Sequence, residues 1–181
     1  MREILFRGKP IHKEDYTLYE NLYKDNKDTI DVFNNGFVYG SLVVIKDKYY
    51  ICVGIAGVLI NSLINNATAT MIEIEPETVG QFTGLTDKNG KKIFEGDIVK
   101  TQPFSDKPYS SKAKYKEHIG VVEYQIRHFK NHFYEQDYEG RWIVTIIDYG
   151  KFTCYNWNEF FKCEIIGNIY DNPKLLEVED D

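Results

Sequence analysis

The segment from residue 79 to residue 100, VGQFTGLTDKNGKKIFEGDIVK, constrains the fold more than any other stretch because turn-forming residues interrupt it at short intervals. Its DKNG run at residues 87–90 lies between apolar Leu85 and the pair Ile93-Phe94. An Asn-Gly pair tolerates positive φ at both positions, so it is a strong turn signal. We therefore predict that this run reverses the chain between two strands.

A second turn is predicted where FEGDIVK begins a strand. Gly96 can supply a positive φ or a bulge, and Asp97 can accept hydrogen bonds from neighbouring backbone amides. The alternative is chemical, because Glu95 and Asp97 together could hold a divalent ion in an enzyme. We favour the structural role, and we assign it to six residues: Gly84, Asp87, Asn89, Gly90, Gly96 and Asp97.

The aromatic content and the spacing of apolar runs favour β structure. Aromatic residues make up 15% of the chain, and they suit the half-buried surface of a strand. Turn chemistry predicts a hairpin from Phe37 to Val53, with a further strand from Met71 to Ile74. From residue 97 onward, short apolar runs alternate with Gly-rich or polar turns, as a small closed barrel requires.

The predicted fold is therefore mainly β, a β-rich α+β chain with an SH3-like barrel at its C-terminal side. We expect an N-terminal β-rich region over residues 1–78 and a small β-barrel over residues 79–172. The Pro-, Ser- and Lys-rich stretch 101–118 predicts a mobile loop within the barrel, and residues 173–181 predict an acidic tail that frays.

Composition excludes several classes of protein. The N-terminus lacks the apolar core of a secretory signal, and the longest apolar run, residues 49–64, is shorter than the roughly 20 residues that span a bilayer. Three widely spaced cysteines are typical of buried thiols in a reducing compartment. A net charge of −6 disfavours indiscriminate phosphate binding, although an acidic surface could also imitate DNA. We expect an intracellular chain that contacts no membrane.

The common catalytic and metal-binding motifs are missing from the sequence. His128 and His132 have the spacing of two metal ligands on a helix, but the residues around them favour a strand. The glycines form neither a nucleotide-binding fingerprint nor a phosphate loop, and no nucleophile elbow occurs. We therefore predict that the chain is not an enzyme and that it holds neither a metal nor a cofactor.

Two groups of residues are candidates for binding. Aromatic side chains dominate contact energetics when they do not pack in the core, which favours a protein partner at five positions: Tyr124, Trp142, Tyr149, Tyr155 and Trp157. Core packing explains the same residues equally well. The second group interleaves basic residues with Tyr109 and Tyr115, a composition that suits single-stranded nucleic acid but also suits a solvated loop. Its basic members are Lys107, Lys112, Lys114, Lys116 and Arg127.

Four motifs in order, REILFRG, ETVGQFTGLTDKNGKKIFEGDIVK, GVVEY and EIIGNIYDNPKLLE, resemble the YopX family of phage and prophage proteins. The resemblance implies a largely β fold, a setting in the cytoplasm of a bacterial host, and self-association. It assigns no reaction, so no catalytic residue carries over. We expect a binding or assembly protein whose partner is a phage or host protein or a second copy of this chain; nucleic acid is the alternative partner.

Overall fold

The computed structural model describes residues 4–14, 17, 33–53, 70–103, 105, 109, 111–131, 134–146, 152–154 and 162–177. Within these ranges, only the backbone is described for residues 127–131, 134–139 and 152–154. The chain divides into two compact units, Met1–Phe82 and Thr83–Asp181, which we describe separately.

The first unit is an antiparallel sheet in which the order of strands is β5-β4-β3-β1-β6, and β2 pairs with β3. Its core consists of apolar side chains from one face of the sheet, including Val38, Ile51, Ile72 and Ile74. The strands are β1 (Phe6–Gly8), β2 (Phe33–Asn34), β3 (Phe37–Ile45), β4 (Lys48–Val53), β5 (Thr70–Ile74) and β6 (Gly80–Thr86).

Tight two-residue turns explain the hairpins of this sheet. Lys46 and Asp47 both adopt positive φ, 47° and 38°, and join β3 to β4. Asn35 and Gly36 do the same between β2 and β3, with φ of 51° and 76°. Positive φ at both central residues matches the twist of the flanking strands. The hairpin predicted between Phe37 and Val53 is confirmed.

The second unit contains an antiparallel five-stranded sheet with the order β11-β10-β9-β8-β12. Its core includes Val99, Val122, Trp142, Val144 and Ile146. The last residues of β6 belong to this unit, together with β7 (Lys92–Phe94), β8 (Asp97–Lys100), β9 (Ile119–Asn131), β10 (Tyr134–Ile146), β11 (Phe152–Cys154), β12 (Glu164–Asn168) and a 3-10 turn at Pro173–Leu176.

The mainly β fold is confirmed, but the closed barrel is not. Within the described residues the five-stranded sheet runs from β11 to β12 without a pairing that joins these two edge strands. The rhythm of short strands was misleading because β9 and β10 are 13 residues each. A barrel needs strands that continue around its wall, whereas this long hairpin extends past the strands on either side of it.

Candidate interaction surface

The turn segment, which we define as residues 79–100, uses its carboxylates to hold the backbone. Asp87 is 4% exposed, and its Oδ1 accepts hydrogen bonds from the amides of Asn89 at 2.8 Å and Lys91 at 2.9 Å. Its Oδ2 accepts from the amide of Ile165 on β12 at 3.1 Å. One side chain therefore closes the loop and fixes a distant strand.

The environment of Asp87 favours its ionised form. Burial would raise the pKa of this carboxyl, but the amides of Ile165, Lys91 and Asn89, together with the charge of Lys91, outweigh burial and lower it. Hydrogen bonds to the charged form explain the direction of the pKa shift.

The conformation of the loop at residues 87–90 differs from the expected Asn-Gly turn. Gly90 has a φ of 81°, but Asn89 is not among the residues with positive φ.

Asp97 stabilises the second turn. Its Oδ2 accepts from the amide of Phe94 at 2.8 Å, and Gly96 between them has a φ of 79°. Asp97 is 2% exposed and is the first residue of β8. Asp97 thus spans the bend across Glu95 and Gly96.

Gly84 is the remaining glycine that was predicted to have a turn role, and it has a φ of 85° within β6.

The described residues contain no group of three or more side chains that could hold a metal ion. Cys163 is 4% exposed, and its backbone carbonyl accepts a hydrogen bond from the amide of Lys88 at 2.9 Å. Burial raises the pKa of the Cys163 thiol to about 12, and the charges of Asp87 and Asp97 act in the same direction. The thiol is therefore protonated at neutral pH, and it packs in the core as a small apolar group.

The β9–β10 hairpin has a different surface. Val122 and Val144 oppose each other at its base, and Tyr124 opposes Trp142 one step farther along the same face. Val122, Val144 and Trp142 are at most 3% exposed and belong to the core. Side chains alternate between faces along a strand, so the next positions on β9 continue this apolar face.

Those next positions are uncovered. Tyr124 is 50% exposed and Ile126 is 59% exposed, and Ile126 pairs with the exposed Gly140 on β10. We call Tyr124, Ile126 and Gly140, together with the adjoining edge of Trp142, the hairpin patch. The hairpin patch lies on the same face of the sheet as the core residues Val122 and Val144, farther along the two strands.

An aromatic pair organises the hairpin patch. The rings of Tyr124 and Trp142 meet edge to face with centroids 5.0 Å apart. The Tyr124 ring also lies over Gly140, where a Cβ atom would come within 2.6 Å of the Tyr124 Cζ. A glycine in a strand often marks such a close approach. The Nε1–H of Trp142 is buried, and it has no hydrogen-bond acceptor among the described residues.

The opposite face of the hairpin is more polar. Glu123 is exposed and accepts a hydrogen bond from the Thr145 hydroxyl at 2.6 Å. Arg141 pairs in register with Gln125 and is half-buried. Its Nε–H is buried and, within the part of the chain that the structure describes, meets no acceptor. The hairpin is thus an amphipathic ribbon with one exposed apolar face.

The predicted aromatic set is only partly brought together. Tyr124 and Trp142 are in contact, whereas Tyr149, Tyr155 and Trp157 lie outside the described residues. Sequence reasoning missed Ile126 and Gly140. The signal was present, because Val122, Tyr124 and Ile126 alternate with polar residues at the period of a strand.

The predicted basic group lies on the loop between β8 and β9. Lys112, Lys114 and Lys116 are exposed, Tyr109 is 101% exposed and Tyr115 is 60% exposed. Lys107 and the side chain of Arg127 lie outside the part of the chain that the structure describes.

Hydrogen bonds close the base of this loop. The Thr101 amide donates to the His118 carbonyl at 2.9 Å, and the His118 amide donates to the Thr101 hydroxyl at 3.1 Å. Lys100 and Glu117 form an ion pair beside them at 2.5 Å. The start and end of the loop are therefore fixed to each other, which holds its basic part between two anchored strands.

Comparisons with known proteins place the chain in a family. The crystal structure of protein EF1440 from Enterococcus faecalis is similar to it at 26% sequence identity, over 64% of this chain and 73% of that one, with a TM-score of 0.33. No curated protein matches. Among the described residues, no helix has the length and apolarity needed to cross a membrane. The family model described as YopX protein matches residues 24–177, and the chain therefore belongs to the YopX family.

Proposed function

We propose that this chain is a non-enzymatic binding or assembly protein, encoded by a phage or prophage, that engages another protein through the hairpin patch. The setting is the cytoplasm of the bacterial host. One observation carries the proposal: Tyr124 and Ile126 are 50% and 59% exposed on the strand face whose preceding residues form the core. An apolar face that extends beyond its own core is a surface that a partner can cover.

The chemistry of the hairpin patch fits a protein partner. A half-exposed tyrosine packed against a tryptophan gives a rigid aromatic anchor, and such residues dominate the energetics of interfaces. Ile126 adds an aliphatic contact, and Gly140 opposite it lets the Tyr124 ring lie close to the backbone. The polar opposite face, with Glu123 and Thr145, suits solvent.

The test is capture of partners from lysates of infected host cells by the wild type and by Ile126→Lys. A buried lysine at the interface would be desolvated, so we expect the captured protein to be lost. The matched control is Val44→Lys, because Val44 is a strand residue of the first unit with a similar exposure of 54%. Capture that survives Ile126→Lys, or that Val44→Lys abolishes equally, would contradict the proposal.

A second candidate function is binding of single-stranded nucleic acid by the loop between β8 and β9. Exposed Tyr109 and Tyr115 offer rings for stacking next to three exposed lysines. Nuclease treatment of the same lysates distinguishes this function, because it removes a nucleic-acid partner and leaves a protein partner. In a direct titration, binding by the loop should weaken steeply with added salt.

A further inference from the structure

Two Asn-Gly pairs lie in turns that the structure describes. Asn35-Gly36 joins β2 to β3, and Asn89-Gly90 lies in the turn segment between β6 and β7. All four residues are exposed. Apart from its chain neighbours, neither glycine has a heavy atom within 4 Å of the position that a Cβ would take. Both pairs are therefore open to water.

An Asn-Gly pair can modify itself without an enzyme, because glycine has no side chain to obstruct ring closure. The backbone nitrogen of Gly90 attacks Cγ of Asn89, and the new C–N bond closes a succinimide ring. Nδ2 leaves as ammonia and takes the proton of the Gly90 nitrogen. Water then opens the ring at either carbonyl, which leaves aspartate or isoaspartate at position 89. Water is the co-reactant of the whole sequence.

Asp87 holds the attacking nitrogen in place. The Gly90 amide donates to the Asp87 carbonyl at 3.0 Å, and the amides on either side, of Asn89 and Lys91, donate to Asp87 Oδ1 at 2.8 Å and 2.9 Å. Ring closure requires the Gly90 nitrogen to lose its proton and turn toward Asn89 Cγ, which breaks the first of these bonds. The neighbouring carboxylate also disfavours a second negative charge on that nitrogen. The folded loop therefore opposes the reaction.

We propose that Asn89 is a site of spontaneous deamidation that Asp87 slows, so that the folded chain is modified there when the loop opens locally. Isoaspartate adds a carbon atom to the main chain between Asn89 and Gly90. The three amides can then no longer all reach Asp87. Because Oδ2 of Asp87 also holds the amide of Ile165 on β12, the modification loosens the attachment of that strand.

The inference goes beyond the proposed function because it is a reaction of the chain with water and needs no partner. The release of ammonia makes it irreversible. An opening of this loop is therefore recorded as a permanent change in the main chain, at a turn that is distinct from the hairpin patch.

Peptide mass spectrometry after incubation at neutral pH tests the proposal, because it reads the conversion of Asn89 and of Asn35 in the same sample. Chromatography separates aspartate from isoaspartate. We expect Asn89 to deamidate about tenfold or more slowly in the folded wild type than in urea. In Asp87→Ala, the rate at Asn89 should rise about tenfold or more while the rate at Asn35 stays unchanged. Asn35 is thus an internal control for global unfolding.

Two further variants complete the test. Lys88→Ala removes an exposed ion pair in the same loop and should leave the rate at Asn89 unchanged. Asn89→Gln lengthens the side chain, which disfavours ring closure, so modification at this position should disappear. Circular dichroism of each variant controls for folding.

Three results would overturn the proposal. The first is a folded wild type in which Asn89 deamidates as fast as in urea. The second is an equal rate at Asn89 in the wild type and in Asp87→Ala. The third is an Asp87→Ala variant in which Asn35 accelerates by the same factor as Asn89.

Discussion

The turn segment and the β9–β10 hairpin belong to the same unit, yet they use their polar groups in opposite ways. In the turn segment, Asp87 and Asp97 are almost fully buried and accept hydrogen bonds from four backbone amides. In the hairpin, the buried N–H groups of Arg141 and Trp142 have no acceptor among the described residues, and apolar Tyr124 and Ile126 are exposed.

This difference shows where to look for function in a chain without a catalytic motif. The turn segment has the densest sequence signal, but its groups are satisfied by the chain itself, as expected for architecture. The hairpin has a weaker sequence signal, and among the described residues its exposed apolar side chains and two buried N–H groups have no partner within the chain. We therefore assign the fold to the first region and the interaction to the second.

The largest effect is expected from Asp87→Ala, which tests the architectural side of the comparison. It removes the acceptor of three partly buried amide hydrogen bonds and should lower the free energy of unfolding by about 2–4 kcal/mol. The control is Lys88→Ala in the same loop, which removes only an exposed ion pair to Glu164 and should have a much smaller effect. Urea denaturation measures both. A loss no larger than that of the control would contradict the role of Asp87.

The same variant has a pH dependence with a defined sign. The folded-state pKa of Asp87 lies below its ordinary value of 3.8, so the ionised form is favoured in the folded chain. Its contribution is therefore fully present above that value and is lost as the pH falls through the folded-state pKa. The stability difference between wild type and Asp87→Ala should be constant from neutral pH down to about pH 5, and should shrink below pH 3.8. A difference that grows on acidification would contradict this assignment.

Alanine substitutions of the glycines at the two ends of the hairpin should differ in their effect on stability, by less than the effect of Asp87→Ala. Gly120→Ala places a Cβ 2.6 Å from the backbone carbonyl of Thr145, which cannot move aside, and should cost about 1–3 kcal/mol. Gly140→Ala meets only the far end of the Tyr124 side chain, so the ring should swing away at lower cost. Thermal unfolding compares the two variants, and near-ultraviolet circular dichroism reports the Tyr124–Trp142 pair. Equal costs would mean that the hairpin patch is packed like the core.

Local chemistry made part of the fold predictable. Two-residue turns and apolar runs defined β3 and β4, because their signals lie within a few residues of each other. The far half of the hairpin was missed since NHFYEQDYEG is mainly polar and gives no apolar alternation. The closed barrel is not confirmed among the described residues, because closure depends on which edge strands meet, and no local residue pattern determines that pairing.

The candidate site was predictable to a similar degree. Tyr124 and Trp142 stood out as aromatic residues, and β9–β10 register brings them into contact. The role of Gly140 could not be read from sequence, because it depends on the register that sets this glycine opposite Ile126 and next to the Tyr124 ring. Asp87 was expected to act within its own loop, but its bond to Ile165 joins positions far apart in the chain.

Amide hydrogen exchange of the wild type and of Asp87→Ala tests the central claim about the turn segment most directly. We predict that the amides of Lys91, Phe94 and Ile165, held by the two aspartates, exchange slowly in the wild type. In Asp87→Ala the amides of Lys91 and Ile165 should exchange faster, while the amide of Phe94, which Asp97 holds, should stay protected. Exchange of Lys91 and Ile165 that is as slow in Asp87→Ala as in the wild type would contradict the role of Asp87.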